Sequence, residues 1–376
     1  KLEKVVISSD GSPANLPDLK FEVLDYEDLL NASWQRPQVQ IKASDVQTII
    51  YTSGTTGPSK GVMSPHAQVY LSAAEYVHAT RATSKDVFFT CLPLHHSNAR
   101  WLCVLPAMLS DTRVLIYERF SATKFWDQIR KAGATIYNSL GAFNAFIYNQ
   151  PPKASDADNP VRVSMAAPMP KDIHREFEQR FNLKIVEGYG TTETGIVAFS
   201  PYDSPKIGTC GKPVGSVEIM IVDENDHPVP PKVVGEMVIR SRVPYGMFLG
   251  YYNMPEKTLE SIRNFFYHTG DAAYMDEEGY LFFVDRMKDC IRRRGENISS
   301  FEVESVVNSH PSVVESCAVA VKSELSEDEV KIVVVLREGA KLPYEELLAF
   351  CEPRMPYFAV PRYIEYVSDL PKTSNE

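Results

Sequence analysis

The sequence predicts an α/β fold in two parts, and three textures along the chain carry that expectation. Up to about residue 200, long helical patterns alternate with short β-branched runs, the pattern of strands covered by helices. From Ile207 to Asp285 the pattern turns to alternation broken by turns, which reads as a β-rich subdomain. After Asp285 a fresh helix and strand pattern begins. Residues 1–285 are therefore assigned to a large layered domain and 286–376 to a hinge and a small α+β domain, with the boundary at Asp285 to Lys288.

Taken in order, Thr48 to Tyr51 is the end of a strand. Val69 to His78 and Ala122 to Lys131 carry apolar residues at helical spacing, so each is expected to bury one face. Val87 to Leu92, Arg113 to Tyr117 and Leu183 to Glu187 are short and apolar enough to be buried strands. In the β-rich stretch, Val217 to Val222 and Gly235 to Arg240 flank the turn Asp223 to Pro228, a hairpin pattern. Ser300 to Val307 opens a helix, Val330 to Leu336 is a strand, and Tyr344 to Cys351 is a second helix. Gln150 to Pro160 is a proline-bounded polar loop.

With 376 residues, 44% of them hydrophobic, the chain can bury the cores of two or three domains. A formal charge of −10, with Arg292-Arg293-Arg294 as the only basic cluster, argues against nucleic acid, whose phosphates need a stripe of cations. No run reaches the roughly 20 apolar residues that span a bilayer. The start lacks the order of a signal peptide, so the cytoplasm is expected. The six cysteines show neither a Cys-x-x-Cys pair nor Cys/His ligand spacing, which suits a reducing compartment and reads as buried free thiols for most of them.

The stretch Tyr51-Thr-Ser-Gly-Thr-Thr-Gly-Pro-Ser-Lys-Gly61 is suited to a polyphosphate. Gly54, Gly57 and Gly61 let the backbone turn tightly enough to aim amide N–H groups at phosphate oxygens. The hydroxyls of Thr52, Ser53, Thr55 and Thr56 add donors, and Lys60 adds a charge. A Walker loop would have Gly before the lysine and Ser or Thr after it, whereas Lys60 lies between Ser59 and Gly61. The string instead resembles, almost letter for letter, the phosphate loop of the adenylate-forming superfamily, which includes acyl-CoA synthetases, luciferases and peptide-synthetase adenylation domains.

Further stretches resemble that superfamily in the right order, over most of the chain. Glu187-Gly-Tyr-Gly-Thr-Thr-Glu-Thr-Gly195 is similar to its second core motif. The resemblance implies that Glu187, Gly188, Tyr189, Gly190 and Thr191 line the nucleotide, with the aromatic on adenine. It also implies that Thr192 binds the α-phosphate and that Glu193 holds Mg²⁺, together with Thr52. A carboxylate beside ATP makes sense only with a divalent cation between it and the phosphates. Ala166-Ala167-Pro168 resembles the segment that lines the adenine face. Tyr267-His-Thr-Gly-Asp271 and Asp285-Arg286 resemble ribose grips: Asp271 accepts the vicinal hydroxyls and Arg286 donates to the sugar. Read alone, Thr-Gly-Asp is an ordinary turn. His96, next to His95 in a pair that forms no metal motif, stands where the family gates its acyl site.

Arg286 to Glu304 is similar to the hinge that joins the two domains, with Lys288 at the pivot and Gly295 where the pantetheine arm of CoA would pass. In this family the small domain is mobile. Family members usually carry a further α/β subdomain before the phosphate loop, and here about fifty residues precede it. The lysine that bridges carboxylate and α-phosphate is expected one residue past Glu376, and Lys372 is not assigned that role.

The resemblance implies an ATP-dependent acyl-CoA synthetase in which Lys60, Thr192, Glu193 and His96 are catalytic. Its cosubstrates and ion would be ATP, CoA and Mg²⁺, its partner a small carboxylic acid, and a homodimer a possible assembly. Phe120 to Gln128, Gln150-Pro-Pro and Arg293 to Ile298 point to the crotonobetaine/carnitine-CoA ligase type, with an acyl pocket around Asn98, Trp101, Ser139 to Ala142 and Thr191. Transfer to a carrier protein, a luciferase-like oxygenation and a non-catalytic nucleotide-binding protein remain alternatives.

Overall fold

Strands buried on both faces read as continuous apolar runs, because no side of them meets water. Val87–Thr90, Ile136–Ser139 and Val163–Ala166 are buried at every position and pair in parallel, with Lys184–Thr191 beside the last of them. The computed structural model describes residues 4–7, 22–31, 35, 38–52, 59–287, 291–293, 296–322 and 328–372. In it these strands form the middle of a seven-stranded sheet. Arg113–Ile116 flanks one edge, and Gly195–Phe199 and Lys212–Pro213 extend the other as antiparallel strands.

Successive strand residues face opposite ways, so the sheet feeds two cores. Phe88, Ile136, Met165 and Val186 pack with Val69, Tyr76 and Trp101 on one side. Phe89, Tyr137, Ala166 and Ile185 pack with Phe125, Ile129, Phe177 and Phe181 on the other. The fold is α/β, with helices on both faces of the sheet. His66–Thr80 and Phe125–Ala132 are the two helices read from periodicity, and they end at Arg81 (φ 52°) and Gly133 (φ 63°) in left-handed caps. Gly141–Tyr148, His174–Phe181 and the five-residue π-helix Arg100–Val104 are helices that the reading did not mark.

The strand expected over Leu183 to Glu187 runs on to Thr191, because Gly195–Phe199 turns back and supplies its ladder partners. A Cβ on Gly190 would lie 2.4 Å from the Gly195 carbonyl oxygen, so only glycine permits this pairing.

The β-rich stretch is a second sheet. Val217–Val222 pairs antiparallel with Gly235–Ser241, the expected hairpin, and Phe266–Met275 follows with Ile262–Arg263 and Leu281–Arg286 alongside it. Beyond it, Val313–Lys322, Asp328–Leu336 and Tyr363–Val367 form a three-stranded sheet. Its core holds Val303 and Val307 from the helix Ser300–Asn308 and Leu347 and Cys351 from the helix Tyr344–Cys351. Arg293, from the basic cluster in the sequence, is 9% exposed. It pairs with Glu329 at 2.5 Å and donates to the Phe358 carbonyl at 2.7 Å, so it is an internal strut.

By contacts the chain separates into Lys1–Lys42 and Ala43–Glu376, and the expected boundary at Asp285 to Lys288 falls inside the second unit. In the first unit Lys4–Ile7 and Glu22–Asp25 pair in parallel, and Asp25 caps the helix Tyr26–Leu30 by accepting from the Glu27 N–H at 3.0 Å. Cys91, Cys103, Cys210 and Cys351 are free thiols. Cys103 and Cys351 are buried, whereas Cys91, Cys210 and Cys317 are half-buried, so burial is less general than expected; Cys290 lies outside the described residues. Among the described residues no helix is long and apolar enough to cross a membrane.

Candidate active site

Parallel strands bring their C-terminal ends to one edge, where open α/β sheets hold ligands. Ser139, Ala166 and Glu187 stand side by side in the register. Ala167 and Pro168, joined by a cis peptide, therefore emerge next to Glu187 through Thr191. Past Thr90 the chain leads to His96, which is exposed and precedes the short helix Ser97–Ala99. Glu187 is buried. Its Oε1 accepts from the Met169 N–H at 3.2 Å and its Oε2 lies 3.5 Å from His174 Nδ1, so the carboxylate props the Ala167 to Met169 segment from beneath.

Two residues further on, the Tyr189 phenol donates to Asp271 Oδ2, and the Tyr189 ring lies nearly parallel to Phe283 at 6.4 Å. Asp271 faces Arg286 across the second sheet's register, and Arg286 Nε approaches Asp271 Oδ1 to 3.0 Å as an ion-pair contact outside hydrogen-bond alignment. Asp271 is 1% exposed. Burial pushes its carboxyl up from the usual range, against the pull of Arg286 and the Tyr189 hydrogen bond. Asp271 and Arg286 were expected to act side by side on a sugar. Here they contact each other, with Tyr189 as third member.

The turn after Thr191 is held from three sides. Gln68, fully buried on the helix His66–Thr80, donates through Nε2 to the Thr192 carbonyl at 2.9 Å and to the Glu193 carbonyl at 3.0 Å. The Phe248 N–H donates to the Glu193 carbonyl at 2.9 Å. The Tyr251 hydroxyl donates to Glu193 Oε1 at 2.9 Å. Tyr251 also meets Lys60, whose Nζ lies 3.5 Å from the phenol oxygen and 4.5 Å from the ring centre. Lys60 opens the strand Lys60–Pro65, which pairs with Val46–Thr52, and the Thr52 hydroxyl donates to the Lys60 carbonyl at 3.4 Å.

Ser53, Gly54, Thr55, Thr56 and Gly57 of the phosphate loop, and Lys288 and Gly295 of the hinge, lie outside the described residues. Among the described residues no group of three or more His, Cys, Asp or Glu could hold a metal ion by itself, so a cation there would need ligand oxygens from its substrate. Two of the residues expected to shape an acyl pocket are interior. Trp101 is 1% exposed within the core, and Ser139 is fully buried with its hydroxyl accepting from Asn144 at 2.8 Å. Phe120, Phe125 and Trp126, from the stretch taken as a subgroup marker, are packed aromatic residues of the second core. The sequence reading missed Gln68, Tyr251 and His174. Only Gly250 before Tyr251, with φ 127°, marks an unusual backbone there.

The sequence profile described as AMP-binding enzyme matches residues 1–252, and that of the AMP-binding enzyme C-terminal domain matches residues 302–376. A crotonobetaine/carnitine-CoA ligase of Salmonella heidelberg (strain SL476) is 31% identical over 336 residues, covering 88% of this chain and 65% of that protein. The chain thus spans about 65% of the length of the curated relatives it matches. ATP-bound MatB from Rhodopseudomonas palustris aligns with a TM-score of 0.82 at 28% identity, over 94% of this chain and 72% of that one. O-succinylbenzoate CoA synthetase (MenE) from Bacillus subtilis, in complex with the acyl-adenylate intermediate OSB-AMP, gives 0.83 at 25% identity, over 95% and 73%. Two profiles matched in chain order, the first over most of the chain, fit a sheet edge that gathers the motif residues: the chain belongs to the AMP-binding enzyme family.

Proposed function

We propose that the protein is an ATP-dependent acyl-CoA synthetase that activates a small carboxylic acid as its adenylate and passes the acyl group to CoA. One observation carries the reading. A single strand and turn, Tyr189 to Glu193, touches Asp271, and through it Arg286, at one end and, through Tyr251, Lys60 at the other. Four residues of extended chain span at most about 13 Å. Both ends therefore lie within reach of one nucleoside triphosphate, with a diol-binding acid on the sugar's side and a cation on the phosphates' side.

The residues present fit the groups such a reaction uses. Asp271 Oδ1 is buried without a hydrogen-bond donor, so a ribose hydroxyl would satisfy it. Glu193 is 7% exposed and has one oxygen on Tyr251, and an anion so placed beside a triphosphate calls for a divalent cation. Glu193, with Thr52, would hold Mg²⁺, which when bound neutralises phosphate charge. Lys60 would hold the departing pyrophosphate, and Thr192 the α-phosphate, as the substrate carboxylate attacks phosphorus in line. The adenylate then offers AMP as a leaving group in place of hydroxide. The CoA thiol attacks the acyl carbon, forms the C–S bond and releases AMP.

The names of the similar CoA ligases support CoA as acceptor, and the free cysteines support a reducing cytoplasm. We also propose that residues beyond Asp285 to Lys288 act as a separate turning domain, supported by the core they build among themselves. The reading is tested by incubating the intact protein with MgATP, CoA and a panel of carboxylic acids, and measuring AMP and acyl-CoA by mass spectrometry. Equal amounts of AMP and one acyl-CoA are expected; ATP turned over to AMP with no acyl-CoA from any acid would reject it.

A further inference from the structure

The segment Phe248 to Tyr252 is bonded to both halves of the nucleotide site. The Tyr252 N–H donates to the Gly61 carbonyl at 2.7 Å, the Leu249 N–H to the Met63 carbonyl at 2.8 Å, and Val62 forms an antiparallel bridge with Tyr251. These bonds staple the segment to the strand that Lys60 opens. The Phe248 N–H, bonded to the Glu193 carbonyl at 2.9 Å, staples it to the other half. The Tyr251 side chain, 3% exposed, then fills the gap between the lysine and the carboxylate.

We propose that this segment is a strap that sets the spacing between the strand that Lys60 opens and the metal-binding turn. Tyr251 is its positioning residue: by occupying Glu193 Oε1 it turns the other carboxylate oxygen toward the cation that accompanies ATP. The inference rests on the reading of the site as a MgATP site. It assigns Tyr251 no contact with the reacting atoms. Its hydroxyl orients the ligand carboxylate, a role in which outer partners typically influence metal affinity about 10–100-fold. The Lys60 ammonium over the ring is held in the same place before a polyphosphate arrives, and the ring alone suffices for that.

Tyr251→Phe keeps the ring and removes the donor. ATP binding to the intact protein, followed by titration calorimetry at increasing Mg²⁺, is expected to need about tenfold more Mg²⁺ in Tyr251→Phe than in wild type. AMP binding in the presence of a chelator, which needs neither cation nor terminal phosphates, is expected to be the same in both; a merely structural role would weaken both ligands together. Thr258→Val, which removes the hydroxyl that accepts from the Tyr251 N–H at 2.9 Å, loosens the strap by a second route and should raise the Mg²⁺ requirement less. Coincident Mg²⁺ titrations for wild type and Tyr251→Phe, or equal losses of MgATP and AMP, would overturn the strap. A wild-type protein that binds AMP and ATP with no dependence on Mg²⁺ would overturn the underlying site as well.

Discussion

Tyr189 and Asp271 share a hydrogen bond across 82 positions of sequence, phenol to carboxylate, and it joins the parallel sheet to the second, antiparallel one. The bond holds an acid in a dry place with one oxygen left over. Asp271→Asn keeps the shape and the Tyr189 contact but removes the charge that pairs with Arg286 and accepts from a diol. It should weaken AMP and ATP binding by about tenfold or more, since a hydrogen bond to a charged group is worth about 1.5–3 kcal/mol. Calorimetric titration with AMP measures it, and an unchanged affinity would remove Asp271 from the sugar site.

Gly190 tests the hairpin that carries the motif. Alanine there would put its Cβ 2.4 Å from the backbone oxygen of Gly195, which cannot move without unpairing the strands Lys184–Thr191 and Gly195–Phe199. Gly190→Ala is expected to lose about 2 kcal/mol of stability, the scale of an overpacked core, and to lose nucleotide binding with it. Urea unfolding and AMP titration on the same sample check both.

How much of this was legible in the sequence follows from the range of the interactions. Val87, Phe88 and Phe89 announce a buried strand because burial on both faces writes itself into consecutive residues. Tyr344 to Cys351 is legible for another reason, one buried face carried by Leu347 and Cys351, and its bounds match the helix as read. The strand expected to end at Glu187 runs on through Gly190, because its close pairing there depends on Gly195 of the returning strand. Gln68 and Tyr251 carry no local signal at all: their role exists only because the helix His66–Thr80 and the segment after Phe248 arrive at Glu193 from distant parts of the chain. Trp101, expected among the residues around an acyl pocket, packs in the core instead.

His174 gives a pH signature. Its ring is 1% exposed between Glu187 at 3.5 Å and Glu178 at 3.7 Å. Burial pulls its pKa down, but the two carboxylates prevail and hold it up to about 9. An unfolded histidine titrates near about 6.5. A group whose folded pKa is raised adds stability in full below the unfolded value and loses it as pH rises through the folded one. The stability of wild type over His174→Gln should therefore be greatest below about pH 6.5 and should fade between there and about pH 9. Urea midpoints of both proteins across that range check it, and a difference that grows with pH would contradict it.

Arg162 ties the start of one central strand to its neighbours. It bonds Asp86 through Nε at 2.7 Å and Nη2 at 2.8 Å, and also donates to the Thr80 carbonyl at 2.8 Å. Burial raises the Asp86 pKa, but Arg162, Thr135 and Thr83 more than offset this and hold it at about 2. Arg162→Ala leaves that carboxylate buried and unpaired, which typically costs about 3 kcal/mol. Lysine cannot reproduce the forked contact, so Arg162→Lys should recover only part of the loss. Chemical denaturation of the three proteins near neutral pH ranks them.

The central claim is that Lys60, Glu193 and Asp271 form one site that activates a carboxylate with ATP. The most direct measurement is carboxylate-dependent exchange of labelled pyrophosphate into ATP, catalysed by the intact protein and by Glu193→Gln at equal folded concentration. Exchange is expected to require both an acid and Mg²⁺ and to fall by about 10²–10³ in Glu193→Gln, the range for losing a group that stabilises the transition state. Exchange that proceeds without any acid, or at the same rate in Glu193→Gln as in wild type, would contradict it.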